Sequence, residues 1–253
     1  MHKLGVIGGL GPMATALFME YVIEMTDAST DAEHIEMLIH NCPQIPDRTA
    51  YILGKSTENP APHMINSGRM LEQNGCSLIS IPCITANYFY SELSEALNIP
   101  VLDGVKETAA VINSYNLNHA NDKITTVGII ATDGTIKSQL FQNALNKYNL
   151  ATVIPEPEDQ EQVMSLIYDD VKGGRKIDNA TVKRLEGIAA KLYEKGADIV
   201  VLGCTELSVI GRELSNTEGY ADALRALAQS TVLACGKLKP QYNAIIQPKR
   251  KEV

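Results

Sequence analysis

Short apolar runs alternate with helix-spaced amphipathic stretches from one end of the chain to the other. Residues 4–7, 35–40, 78–81, 101–102, 124–130, 152–154 and 199–202 are nearly continuous in apolar character. That is the pattern of strands covered on both faces. Between them, Phe18, Tyr21, Val22 and Met25 recur at i, i+3, i+4 and i+7, and Leu185, Ile188, Ala189 and Leu192 repeat the spacing. These stretches are expected to be helices. Strands alternating with helices predict an α/β protein of doubly wound parallel sheets. A last helix is expected over 220–238, followed by a polar, basic, frayed tail over 247–253.

The layout repeats itself. Gly5-Val6-Ile7 opens the first half and Gly128-Ile129-Ile130 opens a similar strand later. Each precedes, by nearly the same interval, a cysteine that closes an apolar run: Cys83 after Leu78-Ile79-Ser80-Ile81-Pro82, Cys204 after Ile199-Val200-Val201-Leu202-Gly203. Alternating α/β chains all look self-similar to some degree, but the shared endings in Cys-x-Thr and Cys-Thr favour duplication into two similar domains. A boundary near Asp103-Gly104 assigns 104–211 to the second domain. It assigns 1–103, with 212–253 returning onto it, to the first.

Ligands of open α/β sheets bind beyond the carboxyl ends of the strands. Two thiols placed there can face one another across a cleft, an arrangement suited to moving a proton between the two faces of a carbon. Helices starting at these positions, with Thr85 and Thr205 as caps, are expected to lower each thiol toward neutrality. A thiol tuned near working pH serves as base and as acid. Cys42, Cys76 and Cys235 lack that setting and read as small buried hydrophobes.

Composition narrows the alternatives. A net charge of -8, no Trp and three Phe argue against a nucleic-acid surface. Five cysteines without a C-x-x-C pair read as free thiols of a reducing, cytoplasmic setting. Lys3 and the apolar stretch after it imitate a leader peptide, but Gly8, Gly9, Gly11 and Pro12 interrupt it. No run of about 20 apolar residues is present to span a membrane. The five histidines are scattered without metal-ligand spacing, so no metal is expected. Gly9-Leu10-Gly11-Pro12-Met13-Ala14 fits a nucleotide fingerprint in outline. Pro12, however, has no N–H for a phosphate, and the strand ending at Asn41 lacks the acidic residue that would hold a ribose. Arg48 beside Asp47, and Lys172 before Gly173-Gly174, read on their own as a surface turn and a helix end.

The segments GGLGPMAT (8–15), PDRT (46–49), PCITANYF (82–89) and GCTEL (203–207) together resemble the aspartate/glutamate racemases that work without pyridoxal phosphate. The resemblance covers nearly the whole chain, and the paired cysteine motifs are its specific part. It implies two α/β domains related by a pseudo-twofold, an active site in the cleft between them, no cofactor, and a homodimer. It implies Cys83 and Cys204 as the acid/base pair and Arg48 and Lys172 as substrate-carboxylate contacts. Leu10 and the segment Ile84, Thr85 and Ala86 become walls and backbone donors, with further donors at Thr205. The substrate implied is a small acidic amino acid. Glu206 stands where the glutamate racemases usually carry histidine, which favours aspartate. The chain also departs from the family: the usual Asn-Thr-Ala-His after the first cysteine is here Ile84, Thr85, Ala86, Asn87. An apolar group thus replaces an amide expected at the substrate. The rival readings are another cleft-cysteine enzyme, of the hydantoin racemase, maleate isomerase or decarboxylase type, and a ligand-binding protein without catalysis.

Overall fold

The computed structural model describes residues 2–249. In chain order the elements begin with β1 (Lys3–Gly8), α1 (Pro12–Met25), β2 (Glu36–Asn41), α2 (Arg48–Ile52), α3 (Ala61–Gln73) and β3 (Leu78–Ser80). A 3-10 segment (Ile84–Phe89), α4 (Tyr90–Ala96) and α5 (Gly104–Asn118) follow. Next come β4 (Thr126–Ile130), α6 (Asp133–Lys137), α7 (Leu140–Asn146), β5 (Ala151–Val153) and α8 (Pro157–Ser165). A π-helical segment (Leu166–Lys172) runs on from α8, and α9 (Asn179–Glu194), β6 (Ile199–Leu202), α10 (Thr205–Gly211), β7 (Tyr220–Asp222) and α11 (Ala223–Ala234) complete the series.

The strands form two parallel sheets, ordered β2-β1-β3 and β5-β4-β6-β7. The first three strands of each half are therefore arranged alike, with the opening strand in the middle. Val6 lies opposite Ile39 and Ser80, and Ile129 lies opposite Val201. Helices cover both faces, so Leu4, Val6, Ile7, Val127, Ile129 and Ile130 are each fully buried, as their unbroken apolar character demands. The expected strand at 101–102 shrinks to one parallel bridge, Val101 to Ile79, at the edge of the first sheet.

The expected helix over 220–238 divides. Tyr220 and Ala221 pair with Val200 and Val201 as a short strand. The Asp222 carboxylate then accepts from the N–H groups of Leu224 and Arg225 and starts the helix there. Gly236, at φ +69, closes its far end. The segment after 212 contributes to both halves: β7 extends the second sheet, while Leu224, Leu227, Ala228 and Val232 of α11 share a core with Leu17, Phe18 and Tyr21 of α1. The tail departs from the expected fraying at its start. Gln247 accepts from Gly219 N–H, and Lys249 donates to Asp198. Positions 250–253 lie outside the described residues. Among the described residues no helix is long and apolar enough to cross a membrane.

Candidate active site

Both cysteines stand two or three residues beyond a strand and directly before a helical turn. Cys83 precedes the 3-10 segment and Cys204 precedes α10, each in extended backbone. They are buried and border the same cavity, of about 10 Å³. Leu10, Asp47, Arg48, Thr49, Ile84, Thr85, Thr132, Lys172, Thr205 and Glu206 line the rest of it. Such a volume holds roughly one water, less than an amino acid occupies.

The loop after β1 is shaped by two glycines. Gly9 has φ +89, and a Cβ there would meet the Cys42 backbone at 2.4 Å, so no other residue fits. Its N–H is taken by the Thr15 hydroxyl at 3.0 Å, which leaves it no donor for a phosphate. The loop instead turns the Leu10 carbonyl to Arg48 and brings Gly11 against Glu206, whose Oε1 lies 2.6 Å from where a Gly11 side chain would begin.

Arg48 opens α2 and is buried. Its guanidinium donates to the carbonyls of Ile45 (3.2 Å), Pro46 (2.9 Å) and Leu10 (2.9 Å), while Nε has no protein partner. Burial works against its charge. The Cys83 sulfur and the carboxylates of Asp47 and Glu206 outweigh that and hold it above its ordinary value. Lys172 ends the π-helical segment. Its ammonium sits 3.4 Å from Asp47 and 4.0 Å above the Tyr168 ring, with the side chain 27% exposed. Burial opposes this charge too, and Glu206, Tyr168, Cys204 and Asp47 together raise it. Tyr168 also donates to the Asp47 carboxylate at 3.1 Å. Asp47 thus ties the first half to the second across the mouth of the cavity. At its base the hydroxyls of Thr85, Thr132 and Thr135 form a buried triangle with 3.0–3.1 Å sides, again spanning both halves.

Cys204 differs from the expectation of a lowered thiol. Burial, then the Glu206 carboxylate, pushes it well above its ordinary range; Lys172 and the Glu206 backbone N–H pull the other way. The thiol donates to Glu206 Oε2 at 3.0 Å, and a carboxylate at that distance outweighs the field of the seven-residue α10. Thr85 and Thr205 cap no helix. The first belongs to the hydroxyl triangle, and the second donates to Glu206 Oε2 at 3.3 Å.

The 84–87 segment also behaves differently from expectation. Ile84 points its side chain into the core beside Val105 and Ala109, its Cδ1 lying 3.0 Å from where a Gly104 side chain would begin. Ala86 is buried in the first half's core and does not border the cavity. Asn87 is a strut: its amide donates to the Ile84 carbonyl at 2.8 Å and accepts from Gly104 N–H at 3.0 Å, at the start of α5. Replacing Asn87 by alanine is expected to cost about 1–2 kcal/mol of stability in urea unfolding, because it strands an N–H at a helix terminus.

Sequence reasoning did not assign Asp47, Thr49, Thr132 or Glu206 to the site. Asp47 and Glu206 adjoin residues already singled out, and their roles depend on contacts across the two halves. Thr132 follows β4 as the glycine loop follows β1, so the internal repeat was the signal that pointed to it.

Two three-strand units of one topology, with a cysteine from each on a shared cavity, make this an α/β protein of two parallel sheets. The chain belongs to the Asp/Glu/hydantoin racemase family, whose family model matches residues 7–231, and it is an isomerase of the racemase type. It is 30% identical to the aspartate racemase of Picrophilus torridus, with a TM-score of 0.83 over 96% of this chain and 99% of that one. It is 29% identical over 238 residues to the broad-specificity amino-acid racemase RacX of Bacillus subtilis, covering 90% of this chain and 96% of that protein. The glutamate racemase of Campylobacter jejuni shares the fold, at 18% identity and a TM-score of 0.60 over 97% of this chain and 90% of that one.

Proposed function

We propose that the protein racemises an acidic amino acid, foremost aspartate, with Cys83 and Cys204 as its two acid/base groups and no cofactor. The observation that carries this reading is that both sulfurs, from matched strand ends, border one small cavity. One cysteine as thiolate removes the α-proton, and the other as thiol returns a proton to the opposite face. Arg48 and Lys172 receive the carboxylates. Backbone N–H groups near Thr85 and Thr205 face the charge that develops on the substrate. Leu10 and Thr132 complete the walls. The aspartate assignment is supported by the similarity to the Picrophilus enzyme over nearly the full chain. We further propose a homodimer working in a reducing compartment, where the two thiols stay unjoined; sedimentation under reducing conditions reads the assembly.

A second reading, broader specificity, is favoured by one feature. Lys172 is shared with Asp47 and Glu206, so a second substrate carboxylate meets a cation that is already partnered. The B. subtilis relative is broad in specificity by name. Chiral chromatography after incubation with each enantiomer of aspartate, glutamate and a neutral panel, under reducing conditions, separates the two. Racemisation confined to acidic substrates supports the first reading, and no racemisation of any amino acid ends both.

The closed mouth carries its own prediction. Tyr168→Phe removes a hydrogen bond to a carboxylate and is expected to favour opening. Alkylation of Cys83 and Cys204 by iodoacetamide at fixed pH then rises about tenfold, the equivalent of one such bond. An unchanged rate means the two halves part elsewhere.

A further inference from the structure

One buried carboxylate in the cavity is left over by the two-thiol scheme. Glu206 is 4% exposed, and its two oxygens are treated differently. Oε2 accepts from the Cys204 thiol at 3.0 Å and from the Thr205 hydroxyl at 3.3 Å. Oε1, lodged over Gly11, accepts no hydrogen bond from the protein. Lys172 of the π-helical segment and Arg48 of α2 interact with it electrostatically, and Asp47 and Cys83, on the same cavity, interact with those cations in turn. The other carboxylate held by α10, Asp222, is bonded to Ser208. Burying a carboxylate costs several kcal/mol unless it is fully paired. Glu206 is only partly paired, and its one sulfur partner is a group that must change protonation.

We propose that Glu206 is the proton partner of Cys204 and a positioning residue for it, holding the thiol's proton whenever Cys204 acts as a base. The exchange is balanced. The S–H bond breaks as an O–H bond forms on Oε2, and the pair carries one proton and one negative charge in both forms. As thiol beside carboxylate, Cys204 is the acid; as thiolate beside the carboxylic acid, it is the base. Because the proton stays within the pair, the sulfur ionises without placing a second negative charge beside Glu206. Lys172 steadies the charge of the pair in either form.

This rests on the reading of Cys204 as an acid/base group, and its test separates the two. Iodoacetamide alkylation of Cys204 is followed by mass spectrometry of its peptide across pH, in the unsubstituted protein and in Glu206→Gln. The midpoint is read rather than the rate, because changes in opening scale the rate at every pH. In Glu206→Gln the midpoint is expected to fall by about one to three pH units, with kcat for racemisation reduced by about 10²-fold. Should that variant fail to fold by circular dichroism, Glu206→Met fills similar space without a polar atom stranded over Gly11 and is read in the same way. A midpoint that stays put or rises, or full racemisation in the variant, overturns the proposal. Racemisation retained by Cys204→Ser would instead overturn the two-thiol scheme, whatever the midpoint does.

Discussion

Cys83→Ser and Cys204→Ser each lower racemisation by about 10³-fold or more, measured as the optical rotation change of either aspartate enantiomer. The substitution changes one atom and little volume, so the fold is expected to hold and the loss to lie in chemistry. A serine hydroxyl is far too weak an acid to supply a base at working pH, whereas a positioned acid or base contributes about 10²–10⁴-fold. The two faces also separate. Each variant keeps one sulfur, so in deuterated water it still exchanges the α-proton of one enantiomer while failing to convert it to the other. A decarboxylase or isomerase of different chemistry gives no such one-sided exchange. Near wild-type racemisation by either variant sinks the scheme. Cys204→Ser has a further signature. The folded state holds this thiol above its ordinary value, so its contribution to stability is complete below the unfolded thiol pKa of about 8.5. It is lost as pH climbs past that value. Thermal melts of the wild type are therefore expected to fall between neutral and alkaline pH more steeply than those of Cys204→Ser.

Why the cysteines were legible in the sequence and Glu206 was not has a physical basis. A buried parallel strand is apolar nearly throughout, so where Leu78-Ile79-Ser80 and Ile199–Leu202 end is written locally, and the cysteine two or three residues beyond each end falls at the binding edge. Glu206 is adjacent to that edge, but what it does depends on Gly11 approaching from the other half and on Lys172 arriving from a π-helical turn. Neither is a property of a local window. The same limit explains β7. Tyr220-Ala221-Asp222 has no strand pattern of its own and becomes a strand because β6 presents an open edge. Ile84 shows how local geometry aims a side chain. Its apolar side chain stands at a position expected to touch substrate, but the 3-10 geometry turns it toward Gly104, whose missing side chain makes the room. Of the segment expected to supply walls and backbone donors, Ile84 and Thr85 border the cavity and Ala86 does not.

Arg48→Lys is expected to lower kcat/KM by about 10²-fold and also to destabilise the fold, although it keeps the charge. The guanidinium holds three carbonyls at once, from Ile45, Pro46 and Leu10, and so joins the loop after β1 to the loop after β2. An ammonium is a point charge on a flexible stem and cannot span that set. With hydrogen bonds to a charged group worth about 1.5–3 kcal/mol each, losing two is expected to cost about 3 kcal/mol or more, read as a lowered midpoint in urea. The catalytic loss has a separate origin. Leu10 walls the cavity and Asp47 latches its mouth, and both are positioned by the turn that Arg48 braces. A displacement of about 1 Å in such a site costs about 10²-fold in rate. Assays run cold, where the variant is fully folded, isolate this part: a deficit in kcat/KM that persists there belongs to substrate positioning. Full recovery on cooling would reduce Arg48 to a structural brace and leave Lys172 as the cation that meets the substrate.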